Sequence, residues 1–160
     1  MRQLQATECI KFIKKEIISL ESSRTTLKGD FFMKHFVCDK CGNLVALVQG
    51  EGKRLSCCST KMDEIVPNSS SASKEKHTPV LNVKNGEVRV SVGSADNAHP
   101  MLAEHAISWV CLVTDKGSQR KTLVPDGKAE AVFRIGDDEK ILKVFAYCNL
   151  HGLWVTEVKN

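Results

Sequence analysis

A cysteine and a histidine lie three residues apart near the end of the chain, in the segment Tyr147–Gly152. We expect this segment to form a tight loop at the end of a strand, where a thiolate and an imidazole could bind a metal ion. Two ligands cannot fill the coordination sphere of a metal, so the others must come from upstream. The candidate ligands are Cys148 and His151 together with His77, His99 and His105.

Each candidate also has an ordinary structural interpretation. A lone histidine is more often a surface residue or a hydrogen-bonded core residue than a ligand. Cys148 ends an alternating apolar run, so alone it would pass for a small buried hydrophobe. The hypothesis of a metal site therefore depends on the complete set. The remaining histidine, His35, is expected at the surface, and Cys111 is expected to pack within a strand.

Four other cysteines form a separate candidate site. They are Cys38, Cys41, Cys57 and Cys58. The first two form a CxxC knuckle, and the glycine that follows it allows backbone N–H groups to turn toward the sulfurs. Four thiolates suit zinc or a single iron ion in tetrahedral geometry. Because adjacent cysteines cannot both reach one ion without widening the angle between their bonds, we expect a distorted tetrahedron.

The overall composition limits the functional classes. A chain of 160 residues with 42% apolar residues is long enough for one or two small domains with a real core. The net charge of +4 could attract a small anion, but there is no basic run typical of nucleic-acid binding. No stretch approaches the roughly 20 apolar residues of a membrane span. With no secretory signal evident, the clustered cysteines predict reduced thiols, metal ligation and a cytoplasmic location.

Residues 1–32 differ in pattern from the rest of the chain. Apolar residues recur there at spacings of three and four, which predicts one stripe of a short amphipathic helix. The residues of this stripe are Ile10, Ile13, Ile17 and Leu20. Such a helix would pack on its own chain or on a dimer partner. The alternative interpretation is that translation starts at Met33 and that this extension is a mis-assigned start.

Three segments follow this extension. Residues 33–67 form the four-cysteine module, for which a structural zinc in a domain too small for its own core is the alternative. Residues 68–76 begin with an Asn-Ser-rich run that is typical of a flexible linker. Residues 77–160 alternate between short apolar runs and turn signals, which predicts an all-β domain.

An Asn-Gly turn at Asn85 predicts a tight β-hairpin in this domain. Its expected cross-strand pairs are Leu81 with Val90, Val83 with Val88 and Lys84 with Glu87. Five further strands are predicted at Ile107–Thr114, Arg120–Val124, Ala129–Ile135, Ile141–Tyr147 and Leu153–Val158. Seven short strands favour an immunoglobulin-like β-sandwich.

Four short motifs contain the four candidate histidine ligands and Cys148: KEKHTPV, AHPM, AEH and YCNLHGLW. With the CxxC knuckle and the adjacent cysteine pair, they resemble the desulfoferrodoxins, the two-iron superoxide reductases, from Met33 to about Trp154. The resemblance implies a desulforedoxin-like iron domain followed by a neelaredoxin-like catalytic sandwich. It also implies two iron ions per chain, one bound by the four cysteines and one by the four histidines and Cys148.

In that family four imidazoles lie in a plane around the catalytic iron, the thiolate is axial and the sixth position is open. The resemblance therefore implies one-electron reduction of superoxide to hydrogen peroxide, with a rubredoxin-type protein as electron donor. The axial thiolate would push electron density onto the iron, as in thiolate-ligated haem. The resemblance further implies a homodimer that removes reactive oxygen in the cytoplasm of an anaerobe or microaerophile.

Two charged residues, Glu75 and Lys76, directly precede His77, so the backbone carries both toward the metal. Their ordinary interpretation is a solvated charge pair in a loop. The resemblance implies that Lys76 attracts superoxide and orders a water for protonation, and that Glu75 takes the open position once the iron is oxidised. One residue departs from the family pattern, because Ala106 stands where an aromatic residue usually follows the third histidine.

Two other functional classes compete with this hypothesis. One is an electron carrier in which only the four-cysteine centre is functional. The complete set of four histidines and Cys148 argues against it. The other is a zinc-binding interaction module, and the adjacent Cys57 and Cys58 argue against that. Colour distinguishes the metals, because oxidised iron in four thiolates absorbs visible light and zinc does not.

Overall fold

The computed structural model describes residues 33–70, 72 and 74–158. Residues Lys34–Asn160 form one compact unit, and the predicted N-terminal helix lies outside the described residues. The strands before the helix are β1 His35–Val37, β2 Leu44–Ala46, β3 Ser56–Cys57, β4 Thr60–Lys61 and β5 Asp63–Glu64. The helix α1, Lys74–His77, precedes β6 Pro79–Lys84, β7 Glu87–Ser94, β8 Asn97–Ala98, β9 Ile107–Thr114, β10 Ser118–Thr122, β11 Glu130–Arg134, β12 Ile141–Cys148 and β13 Gly152–Glu157. No helix in this part of the chain is long and apolar enough to span a membrane.

The four-cysteine module is built from two small sheets. One has the strand order β2–β1–β5, and the other pairs β3 with β4. Phe36 and Met62 pack around the buried Cys38 to form its core. A core of so few apolar side chains buries little surface, so we expect a bound metal ion to stabilise the module.

Two larger sheets form the β-sandwich that the strand pattern predicts. One has the order β10–β9–β12–β13, and the other has the order β11–β7–β6 with β8 paired to β7. Fully buried side chains from three strands, among them Val90, Leu112 and Val144, belong to one core cluster. The all-β class is therefore confirmed. Strand β8 is an addition to the predicted seven, because two residues are too few to show alternation.

The predicted Asn-Gly hairpin is confirmed together with its register. Strands β6 and β7 pair through Leu81 with Val90, Val83 with Val88 and Lys84 with Glu87. Asn85 and Gly86 have φ angles of 50° and 72°, as a type I′ turn requires. The turn decides which residues of β7 face the core, since a slip of one residue would turn Val88 and Val90 outward.

The prediction that His35 lies at the surface is wrong, because its side chain is only 2% exposed. Its ring stacks on Trp109 with a centroid distance of 5.3 Å and meets Phe145 edge-on at 5.1 Å. Trp109 in turn stacks on Tyr147 at 5.5 Å. These aromatic partners come from β9 and β12, far from β1 in sequence, so no local pattern could indicate the contacts.

The predicted linker is held at its first residue. The main-chain N–H of Asn68 donates to Leu153 O at 2.9 Å, and its side chain accepts from Val155 N–H at 2.9 Å and donates to Val155 O at 3.2 Å. Asn68 has a φ of 58°, a left-handed conformation that asparagine tolerates better than most residues. Hydrogen bonds therefore attach this segment to strand β13 of the sandwich.

We expect His35→Ala to lower the free energy of unfolding by about 1–3 kcal/mol, because two aromatic contacts worth about 0.5–1.5 kcal/mol each are lost. Guanidinium denaturation of the metal-loaded protein, followed by tryptophan fluorescence, measures the change. His35→Phe is the matched control, since a phenyl ring keeps both ring contacts. Equal midpoints for His35→Ala and the unsubstituted protein would show that the stack contributes no stability.

Candidate metal centres

The four cysteines of the module converge on one point. Their sulfur atoms all lie within 4.8 Å of one another. The Cys41 and Cys57 sulfurs are 3.5 Å apart, and the Cys57 and Cys58 sulfurs are 3.9 Å apart. Four bonds of about 2.3 Å in a regular tetrahedron place the sulfurs about 3.8 Å apart. The cluster therefore fits a single tetrahedral ion with modest distortion.

The backbone explains how both cysteine pairs face this point. Gly42, with a φ of 72°, donates its N–H to Cys38 O at 2.9 Å and closes the knuckle. N–H groups of the knuckle, first that of Cys41, lower the pKa of the Cys38 thiol to about 7. Cys58 and Ser59 have φ angles of 51° and 61°, and this left-handed turn brings two consecutive cysteine side chains to the same site.

The thiol of Cys58 behaves oppositely to that of Cys38. Hydrogen bonding to the thiols of Cys41 and then Cys57 raises the pKa of Cys58 to about 12. A metal ion that binds at this cluster must therefore displace the proton of the Cys58 thiol, because only the thiolate is a ligand. Cys38 is buried whereas Cys41 and Cys58 are exposed, so one side of the cluster faces solvent.

The second candidate centre collects residues from five places in the fold. His77 is the last residue of α1, His99 directly follows β8, His105 lies in the loop before β9, Cys148 ends β12, and His151 lies in the turn before β13. Strand pairing of β12 with both β9 and β13 brings the last three together. The sandwich thus gathers all five predicted ligands at one end.

The four imidazole rings form a closed square. Going round it in the order His77, His99, His105 and His151, neighbouring ring centroids are 4.6 to 4.8 Å apart and neighbouring planes are inclined by 76° to 88°. Across the square, the rings of His77 and His105 are 5.9 Å apart and inclined by only 29°. This arrangement is the one expected for four imidazoles around a single ion.

The ring nitrogens that face this square can be identified. His77 Nε2 is 2.9 Å from His151 Nδ1, close to the roughly 3.0 Å between two nitrogens bound at right angles with bonds of about 2.1 Å. His99 Nδ1 lies 2.6 Å from Pro100 O, so its Nε2 is left for the square. In the described part of the chain, His99 Nε2 and His105 Nε2 are buried without a hydrogen-bond partner. Since a buried polar atom without a partner is costly, a metal ion fits the square.

Burial favours the protonation state that a metal needs. It lowers the pKa of His99 to about 4, and it also lowers the pKa of His105. Both imidazoles are therefore neutral near pH 7, and only a neutral imidazole binds a metal. The donor atoms of His77, His105, Cys148 and His151 lie within 4.8 Å of one another, whereas His99 joins this group through its ring contacts.

Cys148 lies beside the square of imidazoles and is the fifth candidate donor. Its side chain is fully buried, and its sulfur is 3.7 Å from His151 Nδ1. The main-chain N–H of His151 donates to this sulfur at 3.4 Å. Such bonds lower the electron density on a thiolate and tune the potential of the metal it binds.

The structure places Glu75 and Lys76 on the helical turn α1 rather than in the loop of their ordinary interpretation. Both side chains are exposed. Glu75 Oε1 accepts a hydrogen bond from Ser94 Oγ at 3.4 Å. The positive charge of Lys76 contributes to lowering the pKa of His105, so the ammonium group acts electrostatically on the square.

Three residues that support this centre were not among the predicted site residues. The fully buried Trp154 stacks on His77 with a centroid distance of 4.7 Å and an angle of 22°. Gly93 has a φ of 89°, and a Cβ there would lie 2.5 Å from Asn97 O and 2.9 Å from His99 N. Asn149 bonds to the loop that carries His105. The glycine alone offered a sequence signal, since an isolated glycine in a strand often marks a close backbone approach.

Comparison with known proteins agrees with this geometry. The desulfoferrodoxin family model matches residues 69–157. The desulfoferrodoxin of Syntrophotalea carbinolica is 41% identical over 122 residues, which cover 76% of this chain and 94% of that protein, and the desulfoferrodoxin of Nitratidesulfovibrio vulgaris is 39% identical over 122 residues with the same coverages. The crystal structure of the superoxide reductase from Treponema pallidum is 39% identical, has a TM-score of 0.65, and is matched over 78% of this chain and 98% of that one.

Each cluster has enough donor atoms among the described residues to bind one metal ion. The four-cysteine cluster and the histidine–cysteine cluster provide sites for two iron ions per chain, one at each. The departure at Ala106 leaves all five donors of the second cluster in place. On its motifs, its fold and its similarity over most of its length, the chain belongs to the desulfoferrodoxin family.

Proposed function

We propose that this protein is a superoxide reductase, an oxidoreductase that reduces superoxide by one electron and with two protons to hydrogen peroxide. The observation that carries the proposal is the square of four imidazoles with one buried thiolate beside it. Five donors leave one position of a six-coordinate iron for substrate, which distinguishes a catalytic site from a closed structural one. His77, His99, His105, Cys148 and His151 would hold this iron.

When bound, the iron supplies the single electron that superoxide takes up. The protein side chains hold and orient the groups that would bind the iron. Cys148 is buried and receives the N–H of His151, so its charge is held in place and partly balanced by a fixed dipole. The stacked Trp154 holds the ring of His77 in its plane, which limits the movement of one imidazole during turnover.

Lys76 and Glu75 would act at the approach to this centre. An exposed ammonium group close enough to influence His105 attracts a small anion and raises its encounter rate. The same group can order a water that delivers a proton to the product. Glu75, one residue earlier on α1, would take the open position of the oxidised iron in the resting enzyme.

The electron must come from outside the chain, and we propose a small one-electron carrier of the rubredoxin type. Such a carrier could dock near either centre, because Cys41 and Cys58 of the first are exposed and Leu150, beside the second, is 62% exposed.

We place the reaction in the cytoplasm, where four unlinked thiols stay reduced, with removal of superoxide as its role. A homodimer is an expectation of the family, and analytical ultracentrifugation at several concentrations measures it.

The products test the proposal directly. The pre-reduced protein should be mixed with superoxide under anaerobic conditions, with peroxide and dioxygen measured together. A reductase forms one peroxide per superoxide consumed and releases no dioxygen. Release of one dioxygen for every two superoxide ions would mean dismutation and would overturn the proposal, and so would a reaction rate no faster than that of the metal-free protein.

We expect Lys76→Ala to slow the encounter with superoxide by about 10-fold, in the lower range of electrostatic steering, and to weaken its dependence on ionic strength. Iron content should stay unchanged, because no donor atom is touched. Pulse radiolysis of the reduced protein at several salt concentrations gives both quantities. Lys74→Ala, which removes another exposed lysine of the same helical turn, is the matched control.

Glu75→Ala should behave in the opposite manner. Its encounter rate should equal that of the unsubstituted protein, because the carboxylate acts only after oxidation. The absorption spectrum of the oxidised centre should change instead, since one oxygen donor is lost. If both variants kept normal rates and normal oxidised spectra, Glu75 and Lys76 would be the solvated charge pair of the ordinary interpretation.

A further inference from the structure

Asn149 is the residue that joins the two loops on which the second centre is built. It directly follows Cys148, and its partner Ala106 directly follows His105. Asn149 Oδ1 accepts the main-chain N–H of Ala106 at 2.9 Å, and the main-chain N–H of Asn149 donates to Ala106 O at 3.0 Å. The two residues that this pair of hydrogen bonds joins thus lie next to the candidate metal ligands Cys148 and His105.

A third hydrogen bond extends the connection across the loop that carries His105. Asn149 Nδ2 donates to Ala103 O at 3.1 Å. Within the loop, His105 exchanges both of its main-chain hydrogen bonds with Leu102, at 3.0 and 3.1 Å. The loop is therefore internally closed, and the Asn149 side chain attaches it on both sides of His105 to the segment that carries Cys148 and His151.

From these contacts we infer that Asn149 is a positioning residue, which fixes the imidazole of His105 relative to the thiolate of Cys148 and so sets the affinity and the electronic properties of the metal centre. Ala106 is 4% exposed and its N–H is accepted by Asn149 Oδ1, so removal of this acceptor costs free energy. Loss of the side chain would leave that N–H without its acceptor, and the loop would move to find another. His105 would move with it.

The inference rests on the proposed location of the catalytic iron, and it does not depend on superoxide being the substrate. All measurements can therefore be made without superoxide. Partners that orient metal ligands typically contribute about 10- to 100-fold to metal affinity. We expect Asn149→Ala to weaken iron binding at the second centre within that range and to shift the thiolate-to-iron charge-transfer absorption of the oxidised protein.

Asn68 provides a matched control elsewhere in the fold. Its side chain also accepts one main-chain N–H at 2.9 Å and donates to one carbonyl at 3.2 Å, its main-chain N–H donates at 2.9 Å, and like Asn149 it is exposed. Its partners belong to β13 rather than to the loop of His105. Asn68→Ala thus removes the same kind of contact without touching the loops that carry His105 and Cys148, and its iron affinity and absorption should change far less than those of Asn149→Ala.

Asn149→Asp separates the contributions of the two side-chain atoms. An aspartate keeps an acceptor for Ala106 N–H, loses the donor to Ala103 and adds a negative charge, so it should recover most of the affinity that depends on the Ala106 bond. This variant also decides the question if Asn149→Ala does not fold. Hydrogen exchange of the Ala106 amide in the folded variants should be fast in Asn149→Ala and close to normal in Asn149→Asp.

Two results would overturn the inference. One is an Asn149→Ala protein whose iron affinity and charge-transfer absorption equal those of the unsubstituted protein. The other is an Asn68→Ala protein that shows the same losses, because a general loss of stability would then explain both. Weakened binding and shifted absorption in Asn149→Ala alone, with recovery in Asn149→Asp, support it.

Discussion

Replacing Cys148 with serine should reduce the rate of the reaction between the reduced protein and superoxide by more than about 100-fold, beyond the effect of losing a partner that only orients a ligand. A serine hydroxyl is not ionised at neutral pH, so the centre loses its only sulfur donor and the electron density that a thiolate gives to iron. The charge-transfer absorption of the oxidised second centre should disappear. Pulse radiolysis and visible spectroscopy measure the two effects, with iron content determined on the same samples.

Cys111→Ser is the matched control for this substitution. Cys111 is also buried in a strand, at 3% exposure, and burial raises the pKa of its thiol to about 11. It is therefore protonated at neutral pH and lies outside both clusters. Cys111→Ser places a hydroxyl in an equally buried position, so it measures the cost to folding alone. If both variants lost the reaction to the same extent, the effect at Cys148 would reflect unfolding rather than ligation.

The parts of the fold that depend on neighbouring residues could be predicted from the sequence. Strand β9 has the predicted bounds Ile107–Thr114, and the hairpin register follows from the Asn85–Gly86 turn. Strand β10 occupies Ser118–Thr122 rather than the predicted Arg120–Val124. That strand lies at the edge of its sheet and its side chains are mostly exposed, so its alternation is weak and pairing with β9 decides its bounds.

The donor set of the second centre could be predicted because its donors lie in short motifs. The residues that hold those donors in position could not be predicted. Trp154 reaches His77 across the sandwich, and Asn149 reaches Ala106 over 43 residues of sequence separation. An asparagine in a loop and a tryptophan in a strand are ordinary at those positions. Only the assembled sheets show that each one contacts the metal-binding segments. The misplacement of His35 has the same origin, because its stacking partners come from other strands.

Cys41→Ser should empty the four-cysteine centre and leave the second centre with its iron and its reaction with superoxide. Cys41 is exposed and its sulfur is 3.5 Å from that of Cys57, so the substitution breaks the tetrahedron without filling a buried core position. The visible absorption of iron in four thiolates should be lost almost completely. The second-order rate constant with superoxide should stay within about twofold of the normal value, because that rate is set by the charges around the other centre.

The four-cysteine module nevertheless contacts the sandwich through His35 and Trp109, so local unfolding is the event that could mimic a functional link. Iron content at the second centre and the tryptophan fluorescence of Cys41→Ser distinguish the two. A normal second centre with a slow reaction would mean that the four-cysteine centre takes part in the encounter with superoxide, and the proposed division between the centres would be wrong. A normal second centre with a normal reaction would assign substrate chemistry to the histidine–cysteine cluster alone and limit the first centre to electron supply or to stabilising its own small fold.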